Sequence, residues 1–217
     1  MRSFKTAFSA DFLPAYQAGT LNYRYRGVPC LKSPIDLAVY MRLLWQEQPA
    51  TLIEIGSKHG GSALFFADIV RSFGLSTSIV SIDLVPPEGI ADERIRFFSG
   101  DVRRLEAVFG AHALYGLPRP WTVIEDSAHT LEGCAAALDF FAAHLRAGEI
   151  FVMEDGVLSE LGLDSRYDGG PNRAIAEFFA TRPEVFDIAA EYTDMFGANA
   201  TYNPNGYLRR RQISGGE

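Results

Sequence analysis

Cysteine is scarce in this 217-residue chain. Cys30 and Cys134 stand far apart and make no Cys-x-x-Cys pattern. A disulfide framework is therefore excluded; two free thiols in a reduced, cytoplasmic chain is the simple reading, and a single disulfide the minority one. Long apolar runs are missing too. Met1-Arg-Ser-Phe-Lys begins like a leader, but no apolar run of roughly seven residues follows it. No stretch approaches the ~18 apolar residues of a membrane span, so no membrane partner is expected. Positive charge is in short supply, with 20 Lys and Arg against 27 Asp and Glu and a net charge of −7. The one dense basic cluster, Arg209-Arg210-Arg211, reads as a solvated strand end, so no nucleic-acid partner is expected. Repeats, low-complexity tracts and linkers are absent. With 47% hydrophobic residues, the chain reads as one globular domain over 1–217, with 1–32 an N-terminal helix and loop cap and 33–217 the core.

Two motifs are also missing. No Gly-x-Gly-x-x-Gly follows the first strand, where a dinucleotide site would need it. None of the four histidines is followed by an acid as His-x-Asp or His-x-Glu, which argues against a non-haem iron oxygenase. His59, His112 and His144 have no chemical setting and read as surface or packing residues.

What is present is an alternation of strand and helix patterns. Phe4, Phe8 and Phe12 recur every four residues, which predicts a short docked helix ending at Pro14, and Tyr16–Cys30 reads as a loop. Ser33-Pro34 reads as N-cap and first position of a helix stopped by Pro49. Strands are expected at 51–55, 78–82, 96–98, 122–124 and 150–153. Between the last two, Leu131, Cys134, Leu138, Phe141 and Leu145 follow helical spacing. The pattern lapses from 157 to 172, and the tail reads as two strands near 185–191 and 206–210. This describes an α/β fold, a doubly wound Rossmann-like seven-stranded sheet with an antiparallel C-terminal edge strand.

The chain is organised around residues 121–156, where two strands run into acids: Glu125-Asp126-Ser127-Ala128-His129 and Glu154-Asp155-Gly156. Neighbouring parallel strands lie roughly 4.8 Å apart, so these acids converge. Two unit negative charges ~4 Å apart repel by about 4 kcal/mol at an effective dielectric near 20. Such a cluster needs a cation, a basic partner or proton uptake. In open parallel sheets the ligand sits over the carboxyl ends of the strands, where Glu54, Asp83, Asp101, Asp126, Glu154 and Asp155 gather. Glu54 disfavours a pyrophosphate and favours a cationic ligand. S-adenosylmethionine fits the series: Asp83 for the ribose hydroxyls, Asp101 near the adenine amine, and the Gly56–Gly60 turn, with Ser57 and Ser62, under the methionine part.

The chain resembles the cephalosporin hydroxylase family of class I S-adenosylmethionine-dependent methyltransferases and, more distantly, the metal-dependent macrolide-sugar O-methyltransferases. The resemblance is carried by Gly27-Val-Pro-Cys-Leu-Lys-Ser-Pro-Ile-Asp36, Ile53-Glu-Ile-Gly56 with Gly60-Gly-Ser62, Asp126-Ser-Ala-His129, Val152-Met-Glu-Asp155, Gly169-Gly-Pro171 with Ala174-Ile175, and Asn203-Pro-Asn-Gly-Tyr-Leu208. It implies a Mg²⁺ ion held by Asp126, Glu154 and Asp155, with His129 as the catalytic base beside Asp126. Relatives often carry an acid where this chain has Ala128. Three oxygen ligands with open positions suit Mg²⁺. An alcohol is far too weak an acid for an imidazole to deprotonate unaided, and a metal on that oxygen removes the difficulty.

The expectation is thus an S-adenosylmethionine- and Mg²⁺-dependent O-methyltransferase of a small hydroxylated natural product or its sugar, working as a homo-oligomer. Cofactor-binding candidates are Lys32, Glu54, Gly56, Ser57, Gly60, Ser62, Asp83, Asp101 and Asp126. Tyr167 and Asp168 are expected near the pocket, which segments 1–32 and 157–172 cover. The alternatives are a metal-independent N-methyltransferase of an aminosugar and a non-catalytic cofactor-binding subunit. Calorimetry with S-adenosylmethionine, with and without Mg²⁺ and EDTA, separates them, and methyl transfer intact in EDTA would sink the metal.

Overall fold

In a computed structural model, residues 2–212 are described; Met1 and the last five residues of the expected 1–217 domain lie outside that range. Helix α1 (Leu13–Asn22) is followed by a small antiparallel hairpin, β1 (Arg24–Tyr25) and β2 (Val28–Pro29), and by α2 (Pro34–Glu47). Then come β3 (Thr51–Ile55), α3 (Gly61–Ser72), β4 (Ser78–Asp83), β5 (Ile95–Ser99) and α4 (Leu105–Ala111). The second half holds β6 (Trp121–Glu125), α5 (Leu131–His144), β7 (Ile150–Met153), α6 (Asp164–Tyr167), α7 (Gly170–Thr181), β8 (Phe186–Ile188), α8 (Ala190–Thr193) and β9 (Tyr207–Arg210).

Seven strands form one sheet in the order β5-β4-β3-β6-β7-β9-β8. The first five are mutually parallel, and β9 runs antiparallel between β7 and β8. The fold is the expected doubly wound class; its antiparallel strand lies one place in from the edge, and short β8 takes the edge itself. Apolar runs without polar alternation mark strands covered on both faces, as here. Leu52, Ile79, Ile124 and Val152 pack under α2 and α3. Their neighbours Ile53, Val80, Val123 and Phe151 pack under α4, α5 and α7. Consecutive side chains point to opposite faces of a strand, so each apolar run feeds two cores at once.

The N-terminus departs from expectation. The helix begins around Pro14 instead of ending there, with Pro14 in the first turn. A first-turn proline loses no helical hydrogen bond and arrives with its φ already set. Residues 16–30, read as a loop, supply most of α1 and the hairpin. Elsewhere the cap chemistry holds: the Asp36 amide donates to Ser33 Oγ at 3.3 Å, opening α2.

Candidate active site

Strand register builds the site. Ile82, Ile55, Glu125 and Met153 lie side by side across β4, β3, β6 and β7. The next residues, Asp83, Gly56, Asp126 and Glu154, therefore form one row at the carboxyl ends. Backbone bonds extend the ladder through that row, from Gly56 to Ile82 at 2.7 Å, Asp126 to Ile55 at 2.8 Å and Glu154 to Glu125 at 3.0 Å. Gly56 has no substitute here: at φ +103°, an added Cβ would lie 2.1 Å from the Asp126 carbonyl oxygen. The close backbone approach that sets Asp126 requires it.

A cavity of about 800 Å³ opens over this row. Of the expected cofactor residues, Gly56, Ser57, Ser62, Asp83, Asp101 and Asp126 line it, as do His129, Asp155 and Tyr167. Lys32, Glu54, Gly60, Glu154 and Asp168 do not; they stand behind the wall or outside it. Glu54 is buried beneath, accepting hydrogen bonds from Ser62 and Ser81. Gly60 makes the left-handed turn into α3. Asp168 sits outside, paired with Arg173 at 2.8 Å.

The acidic mouth has the basic partner that its sequence neighbourhood lacks. Lys32, 2% exposed, donates to Asp126 Oδ2 and sits 2.7 Å from Glu154 Oε1. Burial pushes the ammonium pKa down, but Asp126, Glu154 and Glu54 together outweigh it and hold the group well above its usual value. Glu154 also accepts from the Tyr40 hydroxyl; burial and the Asp126 charge raise its pKa, and Lys32 offsets part of that. The side chain expected on a metal is thus engaged with Lys32 and Tyr40. Glu125 points to the other face of β6, as alternation requires. It accepts from Ser127 and faces the Cys134 thiol at 3.7 Å, and burial raises its pKa.

Asp126, His129 and Asp155 each offer one ligand atom, all within 4.8 Å of one another. His129 Nε2 lies 3.4 Å from Asp155 Oδ2 and 3.7 Å from Asp126 Oδ1. Its Nδ1 is buried with no hydrogen-bond partner among the described residues, a donor set that a divalent ion or a hydroxylated ligand would complete. Burial lifts the Asp155 carboxyl to about 6, with His129 opposing the rise. Thr130, not His129, caps α5, accepting from the Gly133 amide at 3.2 Å. The imidazole is free of that duty. Gly170 packs against the His129 carbonyl, where an added Cβ would approach to 2.9 Å, and the Tyr167 ring meets the imidazole edge-on at 5.9 Å.

On the β4–β5 side, Asp83 accepts from the Lys58 amide at 2.8 Å and the Val85 amide at 3.1 Å. Asp101 is clasped by Arg103, whose side chain and amide bring its carboxyl down to about 2. Sequence reasoning missed this arginine and three further liners of the cavity, Gln17, Thr20 and Tyr202. Tyr202 directly precedes Asn203-Pro-Asn-Gly206, the one signal available; α1, with only Leu13 and Thr20 fully buried, carries none.

The family model described as rhamnosyl O-methyltransferase/CmcI matches residues 17–211. The chain belongs to that family. The rhamnosyl O-methyltransferase of Mycobacterium leprae is 29% identical over 195 residues, covering 86% of this chain and 82% of its own length. That of Mycobacterium tuberculosis (strain ATCC 25618 / H37Rv) is 28% identical over 193 residues, covering 86% and 77%. A CmcI structure described as D160 with Mg and SAM is 28% identical with a TM-score of 0.69, covering 88% of this chain and 78% of that one. The MycE methyltransferase, solved with Mg, SAH and mycinamycin VI, shares the fold at 19% identity and a TM-score of 0.57, covering 82% and 50%. As a member of the rhamnosyl O-methyltransferase/CmcI family, the chain is an S-adenosylmethionine-dependent O-methyltransferase.

Proposed function

We propose that this chain transfers a methyl group from S-adenosylmethionine to a hydroxyl of a sugar or sugar-bearing natural product, with Mg²⁺ as its resident ion. The observation that carries this reading is the Asp126, His129, Asp155 cluster, its ligand atoms within 4.8 Å of one another, at the floor of a cavity rimmed by Asp83 and Asp101. An acid-lined site suits a sulfonium donor, since opposite charge in a low-dielectric cleft strengthens binding. Asp83 and Asp101 would hold the adenosine part and the Gly56–Ser57 turn the methionine part. Asp126 and Asp155 would hold the ion, with Glu154 joining them once its carboxylate is released by Lys32. Bound there, Mg²⁺ would lower the energy of a developing alkoxide, which an imidazole alone cannot do. His129, its Nε2 set between Asp126 and Asp155, takes the acceptor proton. Lys32 keeps Asp126 in place, and the cavity walls align acceptor oxygen and methyl group.

A second reading has its own observation. Lys32 already supplies a counter-charge to Asp126 and Glu154 without any ion, as a metal-independent N-methyltransferase of an aminosugar would need. Transfer from radiolabelled S-adenosylmethionine to methyl rhamnoside and to a methyl aminoglycoside, with Mg²⁺ or with EDTA, decides between them. The first reading expects O-methylation abolished by EDTA and a fall in kcat of about 10²- to 10⁴-fold in His129→Ala. Transfer that survives EDTA, or full activity in both His129→Ala and Asp126→Ala, overturns it.

A further inference from the structure

Besides His129 Nδ1, three polar atoms in the cavity wall have no hydrogen-bond partner among the described residues. They are Gln17 Oε1 and Thr20 Oγ1 on α1 and the Tyr202 hydroxyl in the turn before β9. Thr20 and Tyr202 are only 2% and 3% exposed, so water does not compensate them freely. Their hydroxyls are near neighbours, yet the geometry is not that of a hydrogen bond. Buried polar atoms are almost always paired, and an unpaired group at a site points to what the site binds.

The position is specific. Sheet order places Asp83 and Asp101 at the β4–β5 half of the cavity and Asp126 and Asp155 at the β6–β7 half. Tyr202 belongs to the second half, because its carbonyl accepts from the Val157 amide, two residues past Asp155, at 2.9 Å. Helix α1 is pinned over it. The Tyr16 ring packs edge-on against Tyr202 at 5.3 Å and against Phe8 at 5.4 Å. The Tyr16 hydroxyl lies 2.9 Å from Ser33 Oγ and accepts from the Ile35 amide at 3.0 Å. Gln17 and Thr20 are three residues apart, hence neighbours on one helix face, and they are held rather than free to swing.

We propose that Gln17, Thr20 and Tyr202 form a polyol subsite that takes the hydroxyls adjoining the one methylated. The proposal rests on the sugar O-methyltransferase reading above. A carboxamide and two hydroxyls offer both donors and acceptors, which matches vicinal hydroxyls, each able to give one hydrogen bond and accept others. An aliphatic or flat aromatic acceptor would leave the three atoms unpaired, and such mismatches are strongly selected against.

The test is binding, read by calorimetry in the presence of S-adenosylhomocysteine, of methyl rhamnoside and of its analogue lacking the two hydroxyls beside the reacting one. Thr20→Val and Tyr202→Phe each remove one unpaired hydroxyl at nearly constant volume. Each is expected to weaken rhamnoside binding about five- to tenfold, with analogue binding, S-adenosylhomocysteine affinity and melting temperature unchanged. Unchanged rhamnoside affinity overturns the subsite. So does weakened S-adenosylhomocysteine binding in its place, which assigns the hydroxyls to the donor, or a lowered melting temperature, which makes them structural. Wild-type methylation of rhamnoside with unaltered variants sinks the subsite alone. A wild type that binds no glycoside yet methylates a flat phenol sinks the subsite and the sugar reading together.

Discussion

Lys32 is the residue on which the electrostatics turn. Its ammonium is buried among Asp126, Glu154 and Glu54, and removing one partner of a buried pair typically costs about 3–5 kcal/mol because the other charge is stranded. Lys32→Met should therefore lower unfolding stability by about that amount in EDTA, measured by urea denaturation, and added Mg²⁺ should recover much of it by supplying the missing charge. A variant as stable as wild type without metal would show that the acids are not held by Lys32. This pairing is not legible in the chain: Lys32 and Asp126 are 94 positions apart, and no local pattern encodes a long-range ion pair. The acids themselves were legible, because each follows an apolar strand and the class of fold aligns strand ends. Which of them would open onto the cavity was not. Strand alternation turns Glu125 to the other face, and Glu54 lies one step deeper beneath the row; both take serine partners, a consequence of register that apolar runs do not reveal.

Elements with strong patterns matched their expectations closely. The strand Thr51–Ile55 and the helix after Ser33-Pro34 have sharp apolar limits and a capping residue, so local chemistry and tertiary packing agree on them. Helix α1 fails that condition. Its apolar residues do not form one stripe, its only fully buried positions being Leu13 and Thr20, and it owes its place to aromatic contacts made from the preceding segment and from Tyr202. The Tyr16 hydroxyl is the polar part of that attachment. Tyr16→Phe should therefore cost about 1 kcal/mol, and the amides of 13–22 should exchange hydrogen faster while those of β3 and β6 keep their protection. Uniform loss of protection would mean that α1 opens only with the whole fold. Acceptor binding should weaken together with that local exchange, since Gln17 and Thr20 ride on the same helix.

Over the whole molecule, the buried acids set a pH dependence whose sign can be worked out. Burial raises the carboxyl pKa of Asp36, Glu54, Glu125 and Glu154, and of Asp155 to about 6. In the unfolded chain these groups titrate near 4. Between about pH 4 and 6 the folded state therefore binds more protons than the unfolded state, and stability falls as pH rises through that window. Acids of the opposite kind, such as Asp101 at about 2 beside Arg103, contribute stability that is lost only below about pH 4. The metal-free protein should consequently be most stable near pH 4 and less stable at pH 7.5 than at pH 5. Asp155 alone accounts for at most about 3 kcal/mol of this, and less for its partial exposure. Mg²⁺ favours the ionised carboxylates, so in its presence the decline should flatten and the melting temperature at pH 7.5 should rise more than at pH 5. Melting curves at both pH values with EDTA or Mg²⁺ read this directly. Equal shifts at the two pH values would mean that the ion binds away from Asp126 and Asp155, and stability in EDTA rising from pH 5 to 7.5 would show that Lys32 fully compensates the acids around it.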